Sequence, residues 1–122
     1  VLELHGSVLR NHCTRCGQFY GVERIVNSRG VPRCSCGGII KPDVVLYEES
    51  LDEDVMAEAI HYIRQADMLI IGGTSLVVYP AAGLVQYYRG HKLAVINKGG
   101  AGSGLGAAVT VDAPIGQVMA QL

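Results

Sequence analysis

Apolar positions fall into two spacings along the chain. Between Val55 and Ile63 they recur as Val55, Met56, Ala59, Ile60 and Ile63, the one-sided stripe of an amphipathic helix that the pattern carries to about Ala66. Ser50 with Glu53 forms a capping box ahead of it, and Asp52, Glu53 and Asp54 put carboxylates where the helix dipole favours them. Met68–Ile71 is instead an unbroken apolar run of strand length, and Lys92–Ile96 and Val109–Val111 predict two further strands. Pro80 and Gly90 bracket a second helix ending at Arg89, because proline suits a first helical turn and glycine a C-terminal cap. Ile115–Leu122 reads as a third. Strands alternating with helices predict an α/β fold whose parallel strands are joined by right-handed crossovers.

The N-terminal third has a different texture. Val1–Leu9 reads as the end of a strand running into a turn at His5-Gly6, and a chain that opens in mid-pattern is expected to be a fragment of something longer. Ile39-Ile40 and Val44–Tyr47, short runs around Lys41-Pro42, predict the return of the chain to the main sheet. Five glycines within residues 98–108 predict a mobile or ligand-wrapped loop.

Cys13-x-x-Cys16 and Cys34-x-Cys36 lie between these runs. Two tight cysteine pairs at this separation suit a tetrahedral Zn²⁺ held by four thiolates, with Gly17 and Gly37-Gly38 supplying the positive φ that such turns demand. Two disulfides are the competing reading; a bridge inside Cys-x-Cys would be strained, and no secretion signal accompanies the cysteines. The second pair is one residue shorter than the usual spacing, which predicts a less regular site, and His12 is a substitute ligand that four cysteines make unnecessary. Four sulfurs close the coordination sphere, so the metal is expected to be structural, stapling a lobe too small for its own core.

Composition adds limits. With 49% hydrophobic residues, no Trp and one Phe, the core must come from Val, Ile, Leu and Ala. No apolar run is long enough to span a membrane and no signal peptide is evident, so a cytoplasmic location and no membrane partner are expected. Residues 10–41 carry six basic side chains against Glu23, and residues 43–67 eight acidic ones against Arg64. The basic lobe raises a nucleic-acid partner, which a tetrathiolate's own negative charge and the scarcity of aromatics to stack bases disfavour.

Candidate chemistry gathers at the strand ends. Thr74-Ser75, Asn97 and Asp112 follow three successive strands, so one edge of a parallel sheet would present hydroxyls, an amide and a carboxylate, groups suited to a dinucleotide's riboses and adenine. Gly72 and Gly73 would let a ligand approach the backbone closely, although Gly-Gly-Thr-Ser is also an ordinary turn sequence. No GxGxxG loop is present. His5 is a general base only if a substrate hydroxyl comes within its reach.

Taken in order, Glu3-Leu4-His5-Gly6, Cys13-x-x-Cys16, the second cysteine pair, Lys41-Pro42-Asp43-Val44-Val45, Gly73-Thr74-Ser75-Leu76, Val78-Tyr79-Pro80 and Asn97 resemble the sirtuins, over essentially the whole chain. The resemblance is to the C-terminal half to two-thirds of a bacterial-type sirtuin, an NAD-dependent protein-lysine deacylase. It implies a Rossmann-like large domain, here residues 1–9 and 40–122, with a zinc-bearing small lobe of residues 10–39 and acyl-lysine entering the cleft between them. His5 then matches the catalytic base. In the family's reaction the acyl oxygen attacks the nicotinamide ribose and expels nicotinamide. The histidine next deprotonates the ribose so that a hydroxyl closes on the imidate carbon, and addition of water then gives free lysine and O-acyl-ADP-ribose. By the same resemblance Gly73, Thr74 and Ser75 contact NAD near ribose and phosphate, Asn97 the adenosine ribose, and Asp112 with Ala113 the adenine edge. Val45 offers its carbonyl to the acyl-lysine amide, Tyr47 lines the tunnel, and residues 76–78, with Val77 and Val78, form a strand-like segment that pairs with substrate backbone.

The departures matter as well. Where the family commonly has Gly-Glu after the tunnel aromatic, this chain has Glu48-Glu49, an extra carboxylate that implies a preference for peptides with basic flanks. The family's first glycine-rich NAD loop, its Gln-Asn-Ile-Asp stretch and its arginine-bearing loop all belong upstream of Val1, so these 122 residues alone are expected to lack deacylase activity. A non-catalytic zinc-ribbon module binding nucleic acid or protein is the alternative reading, and a sirtuin-like nucleotide binder without catalysis a third.

Overall fold

In the computed structural model, residues 1–100 and 104–122 are described. They divide into two compact units, Val1–Val55 and Met56–Leu122. The middle of the glycine-rich loop expected at 98–108 falls outside the described residues.

The first unit is built on an antiparallel three-stranded sheet. β1 (Gly6–Cys13) lies between β2 (Phe19–Gly21) and β3 (Ile40–Val44), and a short helix, α1 (Val22–Val26), follows β2. The pairing runs Arg10 with Gly21 to His12 with Phe19 on one side, and Gly6 with Val44 to Cys13 with Ile40 on the other. β3 therefore joins an antiparallel sheet, not the parallel one the sequence pattern suggested. Pro42 has no N–H to donate, and an outer strand of an antiparallel sheet tolerates that loss. A bulge between Ser7 and Asn11 pushes residues 8–10 outward, and the buried Asn11 amide donates to the Val8 carbonyl at 3.2 Å. The unit's core is correspondingly small: Cys13, Cys34 and Ile40, with Tyr20, Ile25 and Cys36 against them.

Helix α2 (Glu53–Gln65) follows. Its cap differs from the expected Ser50–Glu53 box: Asp52 Oδ1 accepts from the amides of Asp54 and Val55 at 2.9 and 3.0 Å. A carboxylate adjoining the first helical residue serves two unpaired amides at once and outcompetes a hydroxyl three residues from Glu53.

The second unit holds the parallel sheet, in the order β4 (Leu69–Gly72), β5 (Leu93–Ile96) and β6 (Val109–Val111). The expected α/β sheet is present, with Ile71, Leu93 and Val95 at its core. The segment expected as an α-helix over Pro80–Arg89 is a 3₁₀ turn, Ala81–Tyr87. Gly83 and the β-branched Val85 weaken α-helical preference, and Tyr88 leaves the helix in an extended conformation. Its hydroxyl lies 3.1 Å from the Asp67 carbonyl and 3.2 Å from that of Lys92, and accepts from the Lys92 amide. Tyr88 thus ties the entries of β4 and β5 together. Gly90 does not cap a helix; a Cβ there would lie 2.6 Å from the Tyr88 ring, so its smallness admits that ring. The last helix, α3, is confined to Ile115–Met119. Among the described residues no helix is long and apolar enough to cross a membrane.

Candidate functional site

The four cysteines converge. Gly17 and Gly37 take the positive φ angles expected of the knuckles, 73° and 84°. Within the turns the amide of Gly17 donates to the carbonyl of Cys13 and that of Gly37 to the carbonyl of Cys34. Every Sγ lies within 4.8 Å of the others, with Cys13–Cys36 at 3.4 Å and Cys16–Cys34 at 3.6 Å, and all four are free thiols. A tetrahedral zinc with bonds of about 2.3 Å separates its sulfurs by about 3.8 Å, so the cluster needs little adjustment to hold Zn²⁺. A Cβ at Gly38 would come within 2.6 Å of Cys13 Sγ, so only glycine leaves the cradle open. The donor set fits structural zinc, and the disulfide alternative is not what the chain adopts.

Hydrogen bonds set unequal thiol acidities here. The Tyr20 hydroxyl, 3.1 Å from Cys34 Sγ, and then the Cys36 amide draw the Cys34 thiol down to about 5. The Cys16 amide holds Cys13 below its ordinary value. Cys36 accepts from the Gly38 amide, which would lower it, but the sulfurs of Cys13, Cys34 and Cys16 together push it up to about 12. Binding of one divalent ion to these sulfurs would displace the protons they carry. His12, adjacent to Cys13, is not a ligand; its Nδ1 is engaged with Asp43 Oδ1 at 2.7 Å.

His5 stands at the start of β1 in a turn fixed by backbone. The Gly6 amide donates to the Glu3 carbonyl at 2.9 Å, and the Val45 amide to the His5 carbonyl at 3.1 Å. Gly6 has φ +75°, and a Cβ on it would overlap the Asp43 carbonyl oxygen, so the glycine is obligatory. The imidazole itself is exposed. Val45 is thus held beside the His5 main chain, while the neighbouring Tyr47 side chain is fully solvent-exposed. Glu48 adopts φ +68°, a left-handed conformation that costs a non-glycine residue energy. Glu49 is occupied locally: its Oε2 accepts from the Leu46 amide at 2.9 Å and from Lys41 Nζ at 3.1 Å. These contacts, the amide first, hold its carboxyl below the usual range.

In the second unit the parallel register makes a rim. Gly72 pairs with Ile96 and Ile96 with Val111, so Gly73, Asn97 and Asp112 leave three adjacent strands at one level. Backbone bonds continue one step beyond, from Gly73 N–H to Ile96 and from Asn97 N–H to Val111, each at 3.0 Å. Gly73 takes φ +64°, and Thr74 Oγ1 accepts from the Leu76 amide at 3.1 Å, leaving its hydroxyl proton free to donate. Ser75 is exposed. Asp112 Oδ1 accepts from Gly99 N–H at 2.8 Å, tying the carboxylate to the loop after β5, and Ala113 follows it towards α3. Residues 76–78 are not a strand: Leu76 at φ +57° turns the backbone. The Val78 carbonyl accepts from Ala82, and the side chains of Val77 and Val78 are exposed.

Residues 1–80 match the Sir2 family model. The chain belongs to the Sir2 family. Over its full length it is 56% identical to a protein of Clostridium perfringens named NAD-dependent protein deacetylase, and over 98% of its length 49% identical to one of Clostridium acetobutylicum with the same name. The chain spans about half the length of these curated relatives, 51% and 49%. Solved structures agree with the fold. A sirtuin described as Sir2 with a p53 peptide and NAD⁺ superposes with a TM-score of 0.84 at 35% identity, covering 99% of this chain and 53% of that one. Another, from work on sirtuin substrate affinity, reaches 0.87 at 35% identity, covering 99% and 54%. The sheet of the second unit is accordingly a sirtuin Rossmann-like sheet, and the cysteine lobe a sirtuin zinc ribbon.

Two residues that sequence reasoning passed over, and one to which it gave another role, matter to these features. Tyr20 reaches a ligand sulfur, Gly38 makes room for one, and Tyr88 joins two strand entries. Gly38, expected with Gly37 to supply a positive φ, does not take one; the doubled glycine was a signal of the room it leaves for Cys13 Sγ. Neither tyrosine carried one, because each acts across a distance that only folding sets.

Proposed function

We propose that the chain is part of an NAD-dependent protein-lysine deacylase that releases nicotinamide and O-acyl-ADP-ribose, with His5 as general base. The observation that carries this reading is the His5-Gly6 turn: backbone bonds to Glu3 and Val45 fix its main chain while its ring faces outward. Histidine is a common general base, so a ring presented from a fixed main chain suits removal of a ribose hydroxyl proton. The relatives named NAD-dependent protein deacetylase support the reading as an enzyme of this class. NAD is the co-substrate, met by Gly73, Thr74, Ser75 and Asn97 and, at the adenine edge, by Asp112 and Ala113. Thr74 would donate its free hydroxyl proton to a ribose or phosphate oxygen. Val45, Tyr47, Val77 and Val78 receive the acyl-lysine peptide. Zinc, held by Cys13, Cys16, Cys34 and Cys36, supplies structural closure of the small lobe, which we delimit as residues 10–39 within a larger domain of residues 1–9 and 40–122.

Peptide preference follows from Glu48. With Glu49 committed to Leu46 and Lys41, Glu48 is the carboxylate beside Tyr47 that is unpaired among the described residues, and it favours substrates with basic flanks. Equal turnover of basic- and acidic-flanked peptides by the full-length protein would remove this part of the reading. Cytoplasmic residence belongs to the same reading, since four free thiols suit a reducing compartment. The non-catalytic zinc-ribbon reading gains no support from the basic lobe: the Arg15, Arg24 and Arg33 guanidinia each donate to a carbonyl of that lobe. The full-length protein with His5→Ala tests the proposal. Loss of turnover to free lysine and O-acyl-ADP-ribose with zinc content and folding unchanged is expected, because the base acts after nicotinamide has left, and retained turnover refutes it. The 122 residues alone are expected to be inactive.

A further inference from the structure

The two cysteine knuckles do not offer their leading sulfurs the same donors. In the first, Cys13 Sγ accepts from the backbone amides of Arg15, at 3.4 Å, and of Cys16. The second, Cys34-Ser35-Cys36, is one residue shorter, so its second cysteine arrives where the first knuckle still has Arg15. Of this turn's backbone amides only that of Cys36 is directed at Cys34 Sγ, with the Ser35 hydroxyl farther off at 3.8 Å. Two guanidinia then hold this tight turn by its carbonyls, Arg15 on Cys36 at 2.9 Å and Arg33 on Gly37 at 3.0 Å. The remaining donor comes from another strand. Tyr20 Oη lies 3.1 Å from Cys34 Sγ, and Tyr20 is itself fixed by pairing with Asn11 of β1 and by packing against Cys13, Cys34 and Ile40.

We propose that the Tyr20 hydroxyl is a positioning group of the metal centre, donating to Cys34 Sγ in place of the amide that a Cys-x-Cys knuckle does not supply. A hydrogen bond to a ligand sulfur orients its lone pairs and spreads its charge, and losing such an outer partner typically costs about 10- to 100-fold in metal affinity. The proposal is independent of catalysis, so it stands or falls without reference to turnover.

Tyr20→Phe keeps the ring and its packing and removes only the donor. Chelator competition on the purified protein is expected to show zinc binding weakened about tenfold or more. With Co²⁺ in the site, the thiolate-to-metal charge-transfer band is expected to move to lower energy, because a sulfur without its donor gives up electron density more readily. Ser35→Ala, whose hydroxyl lies 3.8 Å from Cys34 Sγ, is the comparison and is expected to change neither readout. Unchanged affinity in Tyr20→Phe, or weakened affinity with the cobalt band unmoved, overturns the proposal. If Tyr20→Phe does not fold, ¹¹³Cd NMR of the unaltered protein decides: scalar coupling between the Tyr20 hydroxyl proton and cadmium supports the bond, and its absence refutes it.

Discussion

Replacing Gly6 by alanine separates two costs that glycine avoids in the His5 turn. The first is conformational: at φ +75° an L-residue pays about 1–2 kcal/mol. The second is steric, because the new Cβ would overlap the Asp43 carbonyl oxygen and lie 2.8 Å from the Asp43 carbonyl carbon and 3.3 Å from Val44 Cα. All of these are backbone atoms of β3, so relief requires the β1–β3 ladder to part. Gly30→Ala is the matched control. Gly30 has φ +73°, and a Cβ there meets nothing within 4 Å, so it carries the first cost without the second. We expect Gly6→Ala to exceed Gly30→Ala by about 2 kcal/mol or more, in the upper part of the range for single substitutions. Hydrogen exchange of the Val45 amide, which donates to the His5 carbonyl, reads this locally. Two kcal/mol corresponds to about 30-fold faster exchange in the first variant than in the second. Equal exchange in the two would show that β3 yields without cost, and the argument that Gly6 holds the His5 turn would fail.

Glu48→Gly relieves the left-handed strain at φ +68° and should stabilise the protein by up to about 1 kcal/mol in urea unfolding, after glycine's own entropy cost, while abolishing any preference for basic-flanked peptides. Tyr88→Phe removes the hydroxyl that joins Asp67 and Lys92, leaving the Lys92 amide short of an acceptor, and should cost about 1 kcal/mol in the same assay. Glu49 gives a pH dependence. Its carboxyl is lowered by the Leu46 amide and Lys41, so its stabilising contribution is complete above the unfolded carboxylate value, about 4.3, and is lost as pH falls through the folded one. Exchange of the Leu46 amide, corrected for intrinsic rate, should therefore quicken as pH drops below about 4.3, and Glu49→Gln should flatten that dependence.

Much of the second unit was legible because β4 and β5 are marked by unbroken apolar runs, and all three strands lead into polar residues. Parallel pairing then brings Gly73, Asn97 and Asp112 to one level, as the order of elements implied. The metal cluster was legible for a similar reason, since cysteines two or three positions apart with glycine following leave few other geometries. What escaped depended on partners distant in sequence. Ile40–Val44 was readable as a strand but not as a neighbour of β1, because β-branched residues favour extended backbone without naming what it pairs with. The α2 cap shifted to Asp52 because Ser50 and Asp52, two positions apart, compete for the same amides. Pro80 and Gly90 bracketed residues 81–87 without distinguishing a 3₁₀ turn from an α-helix, since the choice follows from Tyr88 reaching back to Asp67 and Lys92.

The most direct test is stoichiometric. Full-length protein incubated with an acyl-lysine peptide and NAD⁺ should release one nicotinamide for each lysine freed, with O-acyl-ADP-ribose identified by mass, and the His5→Ala protein should yield neither free lysine nor O-acyl-ADP-ribose. Lysine freed in the absence of NAD⁺, or without matching nicotinamide, would contradict the account.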